Sequence, residues 1–159
     1  MTYQTTVAEL FNRFPDLQIT YRSQFSYLGE AEPGPDLIFG SILIPALEKG
    51  LEEGNLRTIL EICAFLEDAA ESAREDAALE TLIAVEVGEW LGWASHEERL
   101  APWLGKETKR ICGYVPGLAT RRMNLQSEPL QAKPLQSEPQ VSALRQHIVS
   151  FFSSLRSRK

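Results

Sequence analysis

LRTILEICAFLEDAAE, residues 56–71, places Leu56, Ile59, Leu60, Cys63, Leu66 and Ala70 at intervals of three and four. That spacing predicts an α-helix with these six side chains turned inward. Its start is marked as well. Gly54 suits the C′ position of a preceding helix, and Asn55 suits the N-cap of this one.

Upstream, LIFGSILIPALEKGL (37–51) is strongly apolar and carries Pro45 in its middle. The proline predicts either a kinked helix or two short helices meeting there. EAEPGPD (30–36) reads as a loop. LQITYRSQFSYL (17–28) has Leu17, Tyr21, Phe25 and Leu28 at helical spacing, although its β-branched and aromatic content leaves a strand open. Residues 5–14 predict a short helix with Val7, Leu10, Phe11 and Phe14 on one face, ended by Pro15, with Asp16 capping the next segment.

Downstream, Ser72-Ala-Arg-Glu75 has capping-box spacing and predicts a helix over 73–91. Ser95-His-Glu-Glu98 is a second box, opening a short helix through Leu100 and Trp103 that Gly105 ends. KETKRIC (106–112) makes one more. The loops between these helices are very short, so neighbours in sequence pack antiparallel. The expected fold is all-α over residues 1–115, an antiparallel multi-helix bundle or a short helical-repeat-like array.

The character changes after Pro116. LQSEP-LQAKP-LQSEP (125–139) is a pentapeptide repeat whose regular prolines block helix and sheet, so 116–140 reads as an extended linker. VSALRQHIVSFFSSLRSRK (141–159) reads as a tethered amphipathic helix, with Leu144, Ile148, Phe151, Phe152 and Leu155 on its apolar stripe. These five are candidates for self-association. The segment has four Lys/Arg and no acid, which favours an acidic target. That target is the chain's own body, a second copy, or another protein or membrane surface.

Charge divides the same way. Residues 1–115 hold 9 Lys/Arg against 20 Asp/Glu, a net of −11; residues 116–159 hold 7 against 2, a net of +5. An acidic body repels nucleic acid and attracts basic proteins. No run of eighteen apolar residues exists, so no integral membrane segment is expected. The N-terminus lacks the basic start and apolar core of a signal peptide, so the cytoplasm is the expected location. Cys63 and Cys112 sit in apolar helical patterns and read as buried thiols.

Motifs for chemistry are missing. His96 and His147 lie on different segments, and no Glu-x-x-His, His-x-x-x-His or Cys-x-x-Cys spacing occurs, so no metal is expected. GxGxxG, GxxxxGK[ST] and GxSxG are absent, so neither a nucleotide cofactor nor an enzyme is expected. His96 reads as an exposed residue in the first turn after the Ser95 cap.

Two glutamates stand out in TLIAVEVGEWLG (81–92). Glu86 falls on the stripe formed by Leu79, Leu82, Ile83, Val87 and Trp90, and Glu89 falls at its edge. A carboxylate in apolar surroundings is costly without a partner. Glu86 is therefore expected to be a paired structural acid, and Glu89 to lie toward the surface. Glu61 and Glu67 are similar strays. Acids also gather at two helix junctions, around Glu48, Glu52 and Glu53 and around Glu67, Asp68, Glu71, Glu75 and Asp76. Such a face serves solubility, or it docks a basic partner. Glu67, Asp68, Glu71, Glu75, Asp76 and Glu86, with Trp93 as an apolar anchor, are the partner-binding candidates. Trp90, Trp93 and Trp103 have the alternative of lying in the core.

The order of segments is itself familiar. Leu-Phe-x-x-Phe-Pro (10–15) is followed by LIFGSILIPALEKGLEEG, then LRTILEICAFLEDAA with its FLED (65–68), then VEVGEWL (85–91) and LGKETKRI (104–111). Over about residues 5–112 this resembles a bacterial family of small all-helical proteins known mainly from genome context. Related families of this sort are proposed to be immunity proteins of polymorphic toxin systems. The resemblance implies a non-enzymatic protein that occludes a basic toxin domain through an acidic face, with no shared catalytic residues to carry over. The alternative is a self-associating structural or adaptor protein that forms a homodimer through its C-terminal helix.

Overall fold

A computed structural model describes residues 1–28, 33–92 and 94–117. Every regular element among them is helical. The chain divides into two units, Met1–Leu125 and Gln126–Lys159, and the second lies outside the described residues. So do the expected linker beyond 117, the C-terminal helix and its candidates Leu144, Ile148, Phe151, Phe152 and Leu155. No helix among the described residues is long and apolar enough to cross a membrane.

Helix α1 (Thr6–Arg13) buries Leu10 and half-buries Val7 and Phe11. Helix α2 (Pro15–Gln24) follows at once. The backbone over Pro15–Gln24 is helical, which rules out the strand, and Tyr21 meets both Phe11 (5.9 Å) and Phe25 (5.4 Å). Phe14, and not Asp16, occupies the N-cap; Pro15 takes the first helical position, where its missing N–H costs nothing. Asp16 lies in the first turn instead, where a negative charge suits the helix dipole.

The apolar segment after the loop does not break at Pro45. Helix α3 (Pro35–Ile38), a π-turn (Phe39–Leu43) and α4 (Ile44–Glu53) run on with helical dihedrals at both joins. The wide turn lies just before Pro45, where a regular α-turn would meet the proline ring and lose a hydrogen bond. Gly54 closes α4 in the left-handed region (φ 66°), and the Asn55 side chain accepts from the Thr58 N–H to open the next helix, as the sequence predicts.

Helix α5 (Leu56–Ser72) is the centre of the fold, packed by α4 (Ile44–Glu53), by α6 (Ala77–Leu82) and by α9 (Lys106–Ile111). It buries Ile59, Ile62, Cys63, Phe65, Leu66, Ala69 and Ala70. Leu56 and Leu60 are 46% and 44% exposed, so their expected inward placement is corrected. The buried arc is rotated from the expected one by less than one residue step, ~100°. Spacing sets the period of an apolar stripe; contacts on three sides set its phase.

Two helical rods contain a π-turn, the first over Pro35–Glu53 and the second over Ala77–Leu91, and the second starts later than expected. Ser72 does not cap a helix over 73–91; its hydroxyl donates to the Asp68 carbonyl, inside α5. Residues Ala73–Glu75 form a 3-10 turn, and Asp76 is the cap, accepting from the Ala78 and Leu79 N–H groups. Helix α6 leads through a π-turn (Ile83–Val87) into α7 (Gly88–Leu91). Helix α8 (Ala94–Leu100) starts before Ser95, which therefore lies inside its first turn, and it ends before Trp103. Gly105 opens α9 rather than closing α8. Leu100 and Leu104 join the core, in which Phe39 and Phe65 are the largest fully buried side chains, 6.2 Å apart.

Candidate functional site

The acids proposed for docking separate into those spent on the fold and those left over. Glu67 is spent. One carboxylate oxygen accepts from the Glu107 N–H (2.9 Å), the other from the Thr108 N–H (2.9 Å) and the Thr108 hydroxyl (2.8 Å). A side chain of α5 thus caps α9, whose own N-cap residue is Gly105 and offers no side chain. A Cβ at position 105 would stand 2.1 Å from the Glu67 carboxyl carbon, so glycine is what admits the cap. Burial pushes the Glu67 carboxyl up, but the hydrogen bonds from Glu107 and Thr108 outweigh it and hold it below the ordinary value.

Asp76 is spent in the same manner. Besides capping α6 it accepts from the Tyr3 backbone N–H (2.8 Å), tying the N-terminal segment to the second rod. The Tyr3 bond and those within α6 lower its carboxyl. Asp68 pairs with Arg13 at 2.6 Å. Glu71 and Glu75 remain exposed with no partner among the described residues. Trp93 lies outside the described residues.

Glu86 is the exception, and no partner for it is found among the described residues. It sits in the π-turn Ile83–Val87, which crosses the π-turn Phe39–Leu43. Gly40 lies against Glu86: a Cβ there would lie 2.7 Å from a Glu86 carboxylate oxygen. The carboxylate is half-buried, and among the described residues none donates a hydrogen bond to it and no Lys or Arg pairs with it. Burial raises its pKa above the ordinary value, and the charges of Asp36 and Glu89 add to the rise. Asp36 in turn accepts from the Tyr3 hydroxyl at 2.5 Å. That bond, with burial and the Asp36 charge, pushes the Tyr3 phenol up. Glu89 is exposed, as expected.

The seam between the two rods continues at Glu48 of α4. It accepts from the Trp90 indole N–H at 2.6 Å, and His96 stacks on Trp90 with ring centroids 4.3 Å apart. Trp90 is half-buried: its ring packs against the core and its N–H reaches an acceptor at the edge. His96 is likewise half-buried rather than exposed. Asp36, Gly40, Glu48 and His96 were not singled out as site residues by the sequence. Asp36, Gly40 and Glu48 become neighbours of the 81–92 stretch only through tertiary packing, whereas His96 meets Trp90 six residues along the chain.

Elsewhere, a groove of about 560 Å³ opens among α2, α4 and α5, lined by Leu17, Thr20, Ile42, Ala46 and Thr58. Of its charged residues, Arg13, Lys49, Glu53 and Glu61 are each in an ion pair among the described residues and Asp16 is not. Cys63 and Cys112 are free thiols that burial pushes up to about 12, far from the reactive thiolate range. Among the described residues, no group of three or more His, Cys, Asp or Glu is placed to hold a metal ion. The chain matches no family model, no curated protein and no solved structure.

Proposed function

We propose that the chain is a non-enzymatic, cytoplasmic protein-binding module of the immunity or antitoxin kind, which occludes a basic domain of a partner through the acidic seam at Glu86. One observation carries this reading: Glu86 is a half-buried carboxylate that feels the charges of Asp36 and Glu89 and has no cation beside it among the described residues. A like-charge cluster with no cation among the described residues is relieved when a Lys or Arg side chain reaches it. Glu71 and Glu75 add exposed negative charge for steering. The acidic surface is smaller than the sequence implies, because Glu67, Asp68 and Asp76 are engaged within the fold.

The test is capture of partners from the native host by the tagged full chain, beside Glu86→Gln and Glu89→Gln variants. The expected result is one basic protein at a one-to-one ratio, encoded next door, released by high salt and bound about tenfold more weakly by Glu86→Gln, ~1.4 kcal/mol. Recovery of the chain with itself alone would overturn the reading and favour self-association through residues 141–159.

A further inference from the structure

The residues before α1 are built as a tight turn. The Thr2 N–H donates to the Thr5 hydroxyl oxygen (2.9 Å), and the Thr5 N–H donates to the Thr2 carbonyl (3.1 Å). Met1 is half-buried against the core, where its sulfur accepts from the hydroxyl of the fully buried Thr6 at 3.2 Å. A short segment closed by its own hydrogen bonds and anchored to the core loses little further freedom when its middle residue makes contacts. That residue is Tyr3, and it is bonded at both of its ends.

The backbone end reaches the second rod. The Tyr3 N–H donates to one oxygen of the Asp76 carboxylate at 2.8 Å, while the other oxygen caps α6. The phenol end reaches the first rod. The Tyr3 hydroxyl donates to the Asp36 carboxylate at 2.5 Å, in the first turn of α3. Both acceptors are carboxylates, and such bonds are shorter and stronger than neutral ones. Asp36 stands one helical turn before Gly40 on the same face of its rod, and Gly40 lies against Glu86. The charge of Asp36 is felt at Glu86, where it adds to the rise that burial causes. Asp36 is itself exposed, so without a donor its short side chain is free to turn toward solvent and away from that like charge.

We infer that Tyr3 is a positioning residue for the acidic seam: the turn over residues 1–5 braces the starts of the two rods, and the phenol holds the Asp36 carboxylate beside Glu86. The brace concentrates negative charge where the two π-turns meet. It depends on these contacts and not on what the seam docks, so it stands or falls apart from the capture of a partner. Tyr3→Phe separates the brace from simple packing, because it removes the hydroxyl and leaves the ring against the core.

The full chain, Tyr3→Phe, Asp36→Asn and the double variant test this by urea unfolding and NMR. In the double-mutant cycle at pH 7 the two side chains should be coupled by about two- to tenfold in the folded-to-unfolded ratio. The residue 3 amide should exchange with solvent about threefold faster in Tyr3→Phe, because releasing the phenol also loosens the N–H bond to Asp76. Glu86 supplies the readout that a merely structural tyrosine leaves alone. Its carboxyl titration, followed by carbon-13 NMR, should move down toward the ordinary value in Asp36→Asn and in the same direction in Tyr3→Phe. A Glu86 titration indifferent to Tyr3→Phe would overturn the positioning role. Strictly additive stability changes, or an unchanged residue 3 amide, would overturn the brace.

Discussion

At the scale of single residues, the fold uses carboxylates in opposite ways. Glu67 fills an orphan helix end, and Glu86 is left with like charges for company. Gly105→Ala therefore drives the Glu67 carboxylate out of its cap, because its Cβ overlaps that group and the glycine backbone cannot retreat from α9. Losing the cap should cost about 1–2 kcal/mol, read from the urea midpoint, and Glu67→Ala should cost a similar amount. The two changes remove one interaction, so the double variant should cost much less than their sum. Glu86→Gln should behave in the opposite sense. Removing an uncompensated charge leaves stability at pH 7 unchanged or raises it by about 0.5–1 kcal/mol, while partner binding falls. A clear loss of stability in that variant would mean that the carboxylate has a folding role.

At the scale of elements, two long rods each contain a π-turn, and the turns cross at Gly40 and Glu86. Widened turns recur at functional sites, and here they bring an acid of one rod against bare backbone of the other. In Gly40→Ala the neighbour that must give way is the far end of a flexible side chain, so the cost to stability should be below about 1 kcal/mol. The displaced Glu86 should become more solvated, and its NMR-observed titration should move down toward the ordinary carboxylate value. An unchanged titration would show that the like charges of Asp36 and Glu89, and not the crossing, dominate the shift.

At the scale of the whole molecule, acid should unfold the protein. Glu67, Asp76 and Glu107 all hold their protons less tightly when folded; Glu107 is lowered by Arg74 and Arg110, with bonds of 2.9 Å each. A lowered folded pKa contributes stability that is complete above the unfolded carboxylate range, near pH 4, and is lost as pH falls through the folded value. Glu86 works the other way, since its raised value favours the folded state on the acid side. Three lowered groups outnumber it. Urea midpoints should be flat from pH 7 to about pH 5 and fall steeply below pH 4, and Glu67→Gln should flatten that fall. A midpoint that rises on acidification would mean that Glu86 outweighs the three caps and bridges.

Periodicity made the all-helical class legible, along with the extent of α1, α5 and α9 and the Gly54–Asn55 junction, because apolar spacing and capping chemistry are local properties of a chain. It also singled out Glu86 as an acid on an apolar stripe. It could not give the phase of α5, where Leu56 and Leu60 turn outward, since that depends on what packs from α4, α6 and α9. Nor could it separate spent acids from spare ones. Ser72 and Asp76 are both good caps by composition, and which one acts was settled by where α5 ends against its neighbours. Glu67 reaches an amide 40 residues away, Glu48 an indole 42 away, and Glu86 meets Gly40 across two rods. Charge is written in the sequence, but its partners are chosen by packing, so the number of acids was determined by the sequence and their availability by the tertiary structure alone.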